Sequence, residues 1–375
     1  MPDTLSQLHS GPVGRVRLTA FPLRLPLRAP MRLASETITH AETLLVRAQD
    51  DAGLEGWGEA SAAPTMTGEV LPGMAHVLTH HLAPAMAASA GQTAMEAIAR
   101  IDRAIRGNTG AKAAAEIALL DLLARRAGVP FGAFLGVPLR TEAPALLMIG
   151  GGEARQAITA AQAGWVEGYR HFKLKVGLKA VAEDADTVRE LRAVLGPTAH
   201  IAADANMAWT VDQALEFARR VGPGMLDYLE QPVADDDLQG MAVVQAAAPF
   251  DLCLDEGLHG LQDIDRAADL RAARGVGLKA IKLGGALGVL RADARCTARG
   301  MAQTLACKIS ETSIGAAATV HLACILHDVG WGVSVTAGNL ATEPCAPRVL
   351  PQGGMLRPPA GPGLGVVPDV AQLLS

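Results

Sequence analysis

Carboxylates and amines recur at a near-constant spacing through the middle of this 375-residue chain. Lys173 and Lys175 come first, followed by Asp204, Glu230, Asp255, Lys282 and Glu311. Charged side chains are rarely buried unless paired or bound to a metal. Asp204, Glu230 and Asp255 offer oxygen ligands to one hard cation. No histidine stands among them, so Mg²⁺ or Mn²⁺ suits the set better than zinc. The lysines flank this triad. A proton next to a carboxylate is a very weak acid, and a cation beside that carboxylate stabilises the enolate formed when the proton leaves. The base must be neutral to accept the proton, whereas lysine ordinarily titrates near ~10.4. A neighbouring ammonium and a dication lower that value by like-charge repulsion. Lys173 and Lys175 are two residues apart and share one face of a strand. We assign Lys173 as the charged neighbour and Lys175 as the base. Lys279 and Lys282 differ by three, so a regular strand points them to opposite faces. Lys282 lies nearer the strand's C-terminal end and is assigned to the site, leaving Lys279 at a helix-facing or rim position.

Such residues need elements that bring them to one place. Eight short apolar runs alternate with Ala-rich helical stretches: Ala145–Ile149, His171–Val176, His200–Ala205, Met225–Glu230, Phe250–Asp255, Leu278–Leu283, Ala306–Ser310 and Gly332–Val335. Eight strands with seven helices between them predict an α/β fold, a TIM-like (β/α)₇β barrel. Chemistry in a parallel barrel sits at the C-terminal ends of the strands, where these charges fall. Strands two and six lie four apart in a ring of eight, so their lysines face each other across the mouth. An open doubly wound sheet is the alternative, but no G-x-G-x-x-G follows the first strand.

The barrel is expected over residues 139–335. Residues 1–138 read as an N-terminal α+β domain. Val16–Leu27 alternates loosely, and Thr43–Ala48 and Leu54–Ala60 are strands around the Asp50-Asp51-Ala52-Gly53 turn. The helix Ala111–Ala127 follows, ended by Gly128 and Pro130. Residues 336–375 are rich in Pro and Gly and are expected to pack back on the first domain.

Composition excludes some classes of function. Lys plus Arg number 33 against 38 Asp plus Glu, a net charge of −5 with no basic block, which argues against a nucleic-acid partner. Aromatics are 3%, so the core is built from Ala, Leu and Val. The five cysteines are odd in number and include no C-x-x-C, which argues against a disulfide framework or a zinc site. No apolar run reaches membrane-spanning length, and Met1–Arg15 lacks the apolar core of a signal peptide. The expectation is a cytoplasmic protein with no membrane partner, assembled as a homo-oligomer.

The ordered set of motifs resembles the muconate lactonizing branch of the enolase superfamily, in the mandelate racemase/muconate lactonizing enzyme group. The matching elements are Lys173-Leu174-Lys175, Asp204-Ala205-Asn206, Glu230-Gln231-Pro232, Asp255-Glu256 and Ile281-Lys282. Gly56-Trp57-Gly58-Glu59-Ala60, Ala118–Leu123 and Pro362-Gly363-Leu364-Gly365 match outside the barrel. The resemblance implies a capping domain over the barrel, completed by the C-terminal segment. It also implies Mg²⁺, lysine acid/base chemistry and a small carboxylate substrate. Two N-terminal loops, about 29–36 and 61–68, would reach over the site and bring Met31, Arg32 and Met66 to the substrate. Asn206 and Glu256 are expected to orient the metal ligands, and Glu311 resembles the glutamate of cycloisomerases. Two departures stand out. The glycine pair Gly284-Gly285 follows Lys282 after one residue, earlier than in relatives. Strand eight lacks the Asp-x-Asp with which dipeptide epimerases hold an ammonium group, which disfavours that activity. The implied enzyme is an isomerase (racemase, epimerase or cycloisomerase), with dehydration of a hydroxy acid as the alternative from the same first step. A Schiff-base aldolase using a barrel lysine and a barrel without catalysis are the remaining readings.

Overall fold

The computed structural model describes residues 11–32, 37–309 and 311–373. Eight parallel strands form one sheet in sequence order: Leu146–Ile149, His171–Lys175, His200–Asp204, Tyr228–Glu230, Asp251–Leu254, Gly275–Leu278, Ala302–Ala306 and Val333–Ser334. A parallel bridge between Ala145 and Val333 closes strand eight onto strand one. Seven longer helices lie between the strands, from Ala154–Val166 to Ser313–Ala323. The expected (β/α)₇β barrel is therefore the fold.

Local sequence explains the helix limits. Thr210 caps Val211–Val221 by accepting from Gln213 N, and Gly222, at φ +75°, ends it. The barrel floor is aromatic despite the low aromatic content. Trp331 stacks on Tyr228 with ring centroids 4.2 Å apart. Gly275 on strand six makes room for it, since a Cβ there would lie 2.4 Å from the Trp331 ring.

Strand six departs from expectation for this reason. It runs Gly275–Leu278, not Leu278–Leu283. Its two glycines carry little strand propensity, so the apolar run after it looked like the strand. That run, Ala280–Leu283, is a helical turn closed by Gly284 at φ +76°. Strand seven is likewise Ala302–Ala306, ahead of the expected Ala306–Ser310.

Ahead of the barrel, Val16–Arg32, Thr37–Asp50 and Glu55–Ser61 form an antiparallel sheet in that order. The first strand extends past the expected Leu27, and Met31 pairs with Ile38. Helix Thr109–Ala127 lies directly on the third strand. Cβ atoms at Gly56 and Gly58 would sit 2.2 Å from Leu122 N and 2.1 Å from Ala114 O. The Gly-Trp-Gly motif thus permits backbone-to-backbone contact.

The C-terminal segment completes this domain. Asp121 accepts from Trp57 N (2.8 Å), Arg125 Nε (2.8 Å) and Leu364 N (2.6 Å). Arg125 Nη2 also donates to Val366 O at 2.9 Å. A second seam joins cap to barrel. Glu116, buried in helix Thr109–Ala127, accepts from Ala286 N (2.5 Å) and Leu287 N (3.2 Å) at the start of helix Ala286–Arg299. Gly285, at φ +129°, lets the carboxylate in, since a Cβ there would lie 1.8 Å from Glu116 Oε2. Among the described residues, no helix is long and apolar enough to cross a membrane.

Candidate active site

The three carboxylates end three neighbouring strands. Asp204 is the last residue of strand three and lies opposite Glu230, the last of strand four. Asp255 follows strand five directly. All three are buried. Gln231 holds Asp255 in place, its Oε1 accepting from Asp255 N (3.0 Å) and Gly257 N (3.1 Å).

Lysines engage every one of these carboxylates. Lys173 Nζ donates to Glu230 Oε2 at 2.6 Å, and Lys175 Nζ to Asp204 Oδ2 at 2.6 Å and Asn206 Oδ1 at 2.9 Å. Asn206 Nδ2 continues the chain to Glu256 Oε1 at 2.8 Å. Lys279 Nζ donates to both Asp255 oxygens, to Oδ1 at 2.5 Å.

The strand-six lysines lie differently from the expectation. The strand ends at Leu278, so Lys279 occupies its C-terminal end and faces inward, neither helix-facing nor on the rim. Lys279 lines one cavity together with Lys173, Lys175, Asp204, Glu230 and Asp255. Lys282 sits one helical turn on and is absent from that lining. It donates to Asp255 O (2.6 Å) and Oδ1 (2.7 Å).

The electrostatics follow from burial and pairing. Burial alone would lower the Lys173 ammonium, but Glu230, backed by Tyr228 and Asp204, outweighs it and holds Lys173 well above lysine's ordinary value. Lys173 is thus a charged neighbour to Lys175. Burial opposes ionisation of Asp255 too, yet Lys279 and Lys282 outweigh it and hold Asp255 far below the usual carboxylate range. Glu230 is raised to about 7, because burial, aided by Asp204 and Asp255, exceeds the attraction of Lys173. Burial and the adjacent Lys279 push Lys282 down.

Glu311 lies elsewhere. Strand seven ends at Ala306, and Lys308, not Glu311, lines the cavity of the carboxylates. Glu311 borders a separate hollow of about 10 Å³ that Glu59, Lys279 and Lys308 also line. Its Oε1 accepts from Ser61 N at 3.4 Å. Burial and the facing Glu59 raise it to about 8. Met66 lines the main cavity beside Thr65. Met31 lines an adjoining one. The Arg32 side chain and residues 33–36 lie outside the described residues. Sequence reasoning passed over Met148 and Lys308, which border the site without a charge pattern or motif to mark them.

The strand ends offer donors for a divalent cation. Three buried carboxylates on consecutive strands supply hard oxygen donors. Glu256 Oε2, in the same cavity, is buried with no hydrogen-bond partner among the described residues. No three acidic, His or Cys side chains among the described residues already converge as a metal cluster. Each carboxylate is instead paired with a lysine ammonium. The donors fit such an ion in chemical type.

A closed barrel whose strand ends carry carboxylates and lysines stands beneath an α+β cap. Residues 156–372 match the enolase C-terminal domain-like family. Residues 15–136 match the mandelate racemase / muconate lactonizing enzyme N-terminal domain family. Muconate cycloisomerase 1 of Pseudomonas putida is 31% identical over 353 residues, 92% of this chain and 93% of that one. The N-succinylamino acid racemase of an Amycolatopsis species is 34% identical, again over 92% and 93%. The muconate lactonizing enzyme of Pseudomonas fluorescens, solved with muconolactone, superposes with a TM-score of 0.90 at 28% identity, covering 96% of this chain and 99% of that one. The chain belongs to the mandelate racemase/muconate lactonizing enzyme group of the enolase superfamily and is an isomerase of that type.

Proposed function

We propose that this enzyme moves a proton at the carbon next to the carboxylate of a small organic acid, with Lys175 and Lys279 as its acid/base pair. One observation carries the reading. Lys175 ends strand two and Lys279 directly follows strand six, strands four apart in a ring of eight, and both lysines border one cavity with three carboxylates. Asp204, Glu230 and Asp255 would hold Mg²⁺ or Mn²⁺. When bound, the ion supplies positive charge beside the substrate carboxylate and so favours loss of the adjacent proton.

The chain's own residues do the rest. Lys175, in neutral form, takes the proton from one face of the substrate carbon. Lys279, as ammonium, returns one from the other face, and the roles exchange for the opposite enantiomer. Lys173 keeps a positive charge beside Lys175. Asn206 fixes the Lys175 amine and links it to Glu256. Lys282 acts through Asp255 as a positioning residue, and Glu311 braces the wall behind Lys279. Opposed lysines favour racemisation or epimerisation. Cycloisomerisation and dehydration share the first step and use a proton on one face only.

Exchange of the α-proton in D₂O tests this reading. N-succinylamino acids, named in one relative's activity, and muconolactone, bound in another's structure, are incubated with enzyme and Mg²⁺ and followed by NMR. Metal-dependent deuterium uptake is expected, and it should be lost in the double variant Lys175→Ala/Lys279→Ala. Uptake that persists in that variant removes both lysines from the reaction.

A further inference from the structure

Three of the ten histidines, His76, His80 and His81, fall close together in the cap, and none lines the cavity of the carboxylates. They belong to one continuous helical run made of Leu71–Val77, Leu78–Leu82 and Ala83–Ala87. Met74, Val77, Leu78, Leu82 and Met86 turn inward and are buried, whereas all three histidines are exposed. The middle piece is a π-turn, closed by Ala83 N donating to Leu78 O. Such turns are rare and are frequent at functional sites.

The wider turn sets the spacing of both faces. Met74, Leu78, Leu82 and Met86 are buried in steps of four, where a period of about 3.6 would carry them round the helix. The outer face keeps the same step, so the ring of His80 lies against that of His76, with centroids 4.4 Å apart. His81 stands further off, 6.3 Å from His76 and edge-on to it. Two imidazoles one turn apart on a helix face are the chelating half of the helical zinc motif H-E-x-x-H. The glutamate of that motif is absent here, because Val77 follows His76. The pair therefore offers ligation without the general base.

We infer that His76 and His80 form a second metal site, a two-histidine chelate for a divalent transition ion, with the other positions on the ion taken by water. Imidazole nitrogen suits Zn²⁺, Ni²⁺ and Cu²⁺, whereas Mg²⁺ prefers oxygen. This pair and the barrel carboxylates thus select different ions. Ligating nitrogens lie about 2.0–2.1 Å from such an ion. The two exposed rings reach that by turning about their side-chain bonds, a movement the site requires, since no three candidate ligands among the described residues converge as they stand. A bound ion clamps the π-turn and stabilises the cap, because an unfolded chain does not hold the two rings one turn apart. The site depends neither on the proposed reaction nor on its substrate.

Electron paramagnetic resonance of Cu²⁺ added to the whole enzyme, with Mg²⁺ kept saturating, tests the site. Cu²⁺ binds nitrogen donors most tightly among the first-row divalent ions. One equivalent is expected to show splitting from two imidazole nitrogens. His76→Ala and His80→Ala should each weaken binding by at least the ~10- to 100-fold that loss of an outer-shell partner costs, and His81→Ala should leave it unchanged. Substitutions at exposed positions rarely disturb a fold, and far-UV circular dichroism of each variant checks this. Ni²⁺ should raise the Tm of the wild type and leave that of His80→Ala where it was. Absence of nitrogen splitting, splitting that persists in the double variant His76→Ala/His80→Ala, or equal loss in His81→Ala would overturn the assignment.

Discussion

Lys279 and Lys282 converge on one oxygen: the Nζ of each donates to Asp255 Oδ1, at 2.5 and 2.7 Å. Lys279 reaches it from the end of strand six and borders the cavity, whereas Lys282 also grips the Asp255 carbonyl from one turn further on. Two amines on one carboxylate therefore have different access to a substrate. Lys279→Ala is expected to abolish turnover, while Lys282→Ala should act through a misplaced Asp255. The readout that separates them is a Mg²⁺ titration. Added metal should restore Lys282→Ala in part and Lys279→Ala not at all. Equal rescue of the two variants would return Lys282 to the reaction.

Glu230→Gln removes a donor from the set and the partner of Lys173. Turnover should stop. Breaking one side of a buried pair costs about 3–5 kcal/mol, with Asp204 left to offset part of it. A lowered midpoint in denaturant, with the far-UV circular dichroism of the native protein kept below it, is the expected pattern. Metal-dependent activity at wild-type level would remove Glu230 from the ligand set.

Gly58→Ala tests the contact between sheet and helix in the cap. The new Cβ would lie 2.1 Å from Ala114 O, a backbone atom that cannot swing aside. Overpacking of this kind costs about 1–3 kcal/mol. Chemical denaturation should show the loss, and a neutral result would mean that the helix shifts freely.

Glu116 makes a pH prediction. Burial raises it to about 7, more than its bonds to Leu287 and Ala286 lower it. A folded-state value above the unfolded one means that the native state holds the proton more tightly. The associated stability is complete below about 4.5 and lost as pH rises through about 7, a span of roughly 3 kcal/mol. Glu116→Gln lacks this titration, so the stability gap between wild type and variant should narrow from pH 5 to pH 8. A constant gap across that range would show that the carboxyl titrates normally.

The three carboxylates were legible because each closes a short apolar run, where a charge has no reason to be unless it is used. Lys173 and Lys175 were legible from their period of two. Strand six was not. Its role needs Gly275 to clear Trp331, a residue just ahead of strand eight, and nothing local signals that need. The apolar turn Ala280–Leu283 took its place in the pattern and carried Lys282 with it. Glu311 was displaced in the same way, because the strand before it ends at Ala306.

Glu116 illustrates a second limit. It acts through a backbone atom far along the chain, Ala286 N. Backbone partners leave no residue-type signature. Glu116 did carry a faint one, as an acid within the apolar stretch Ala113–Leu120 of a buried helix.

The junction at Asp121 bears on how the protein is made. Its carboxylate joins Trp57, Arg125 and Leu364, and the last of these leaves the ribosome more than two hundred residues after the others. Domains generally fold in the order of their synthesis, but here the first module lacks a structural piece until the barrel has been translated. The nascent cap must wait with one Asp121 oxygen short of its Leu364 partner, so the two modules mature together. A ribosome stalled before Leu364 would display a barrel whose roof is still loose.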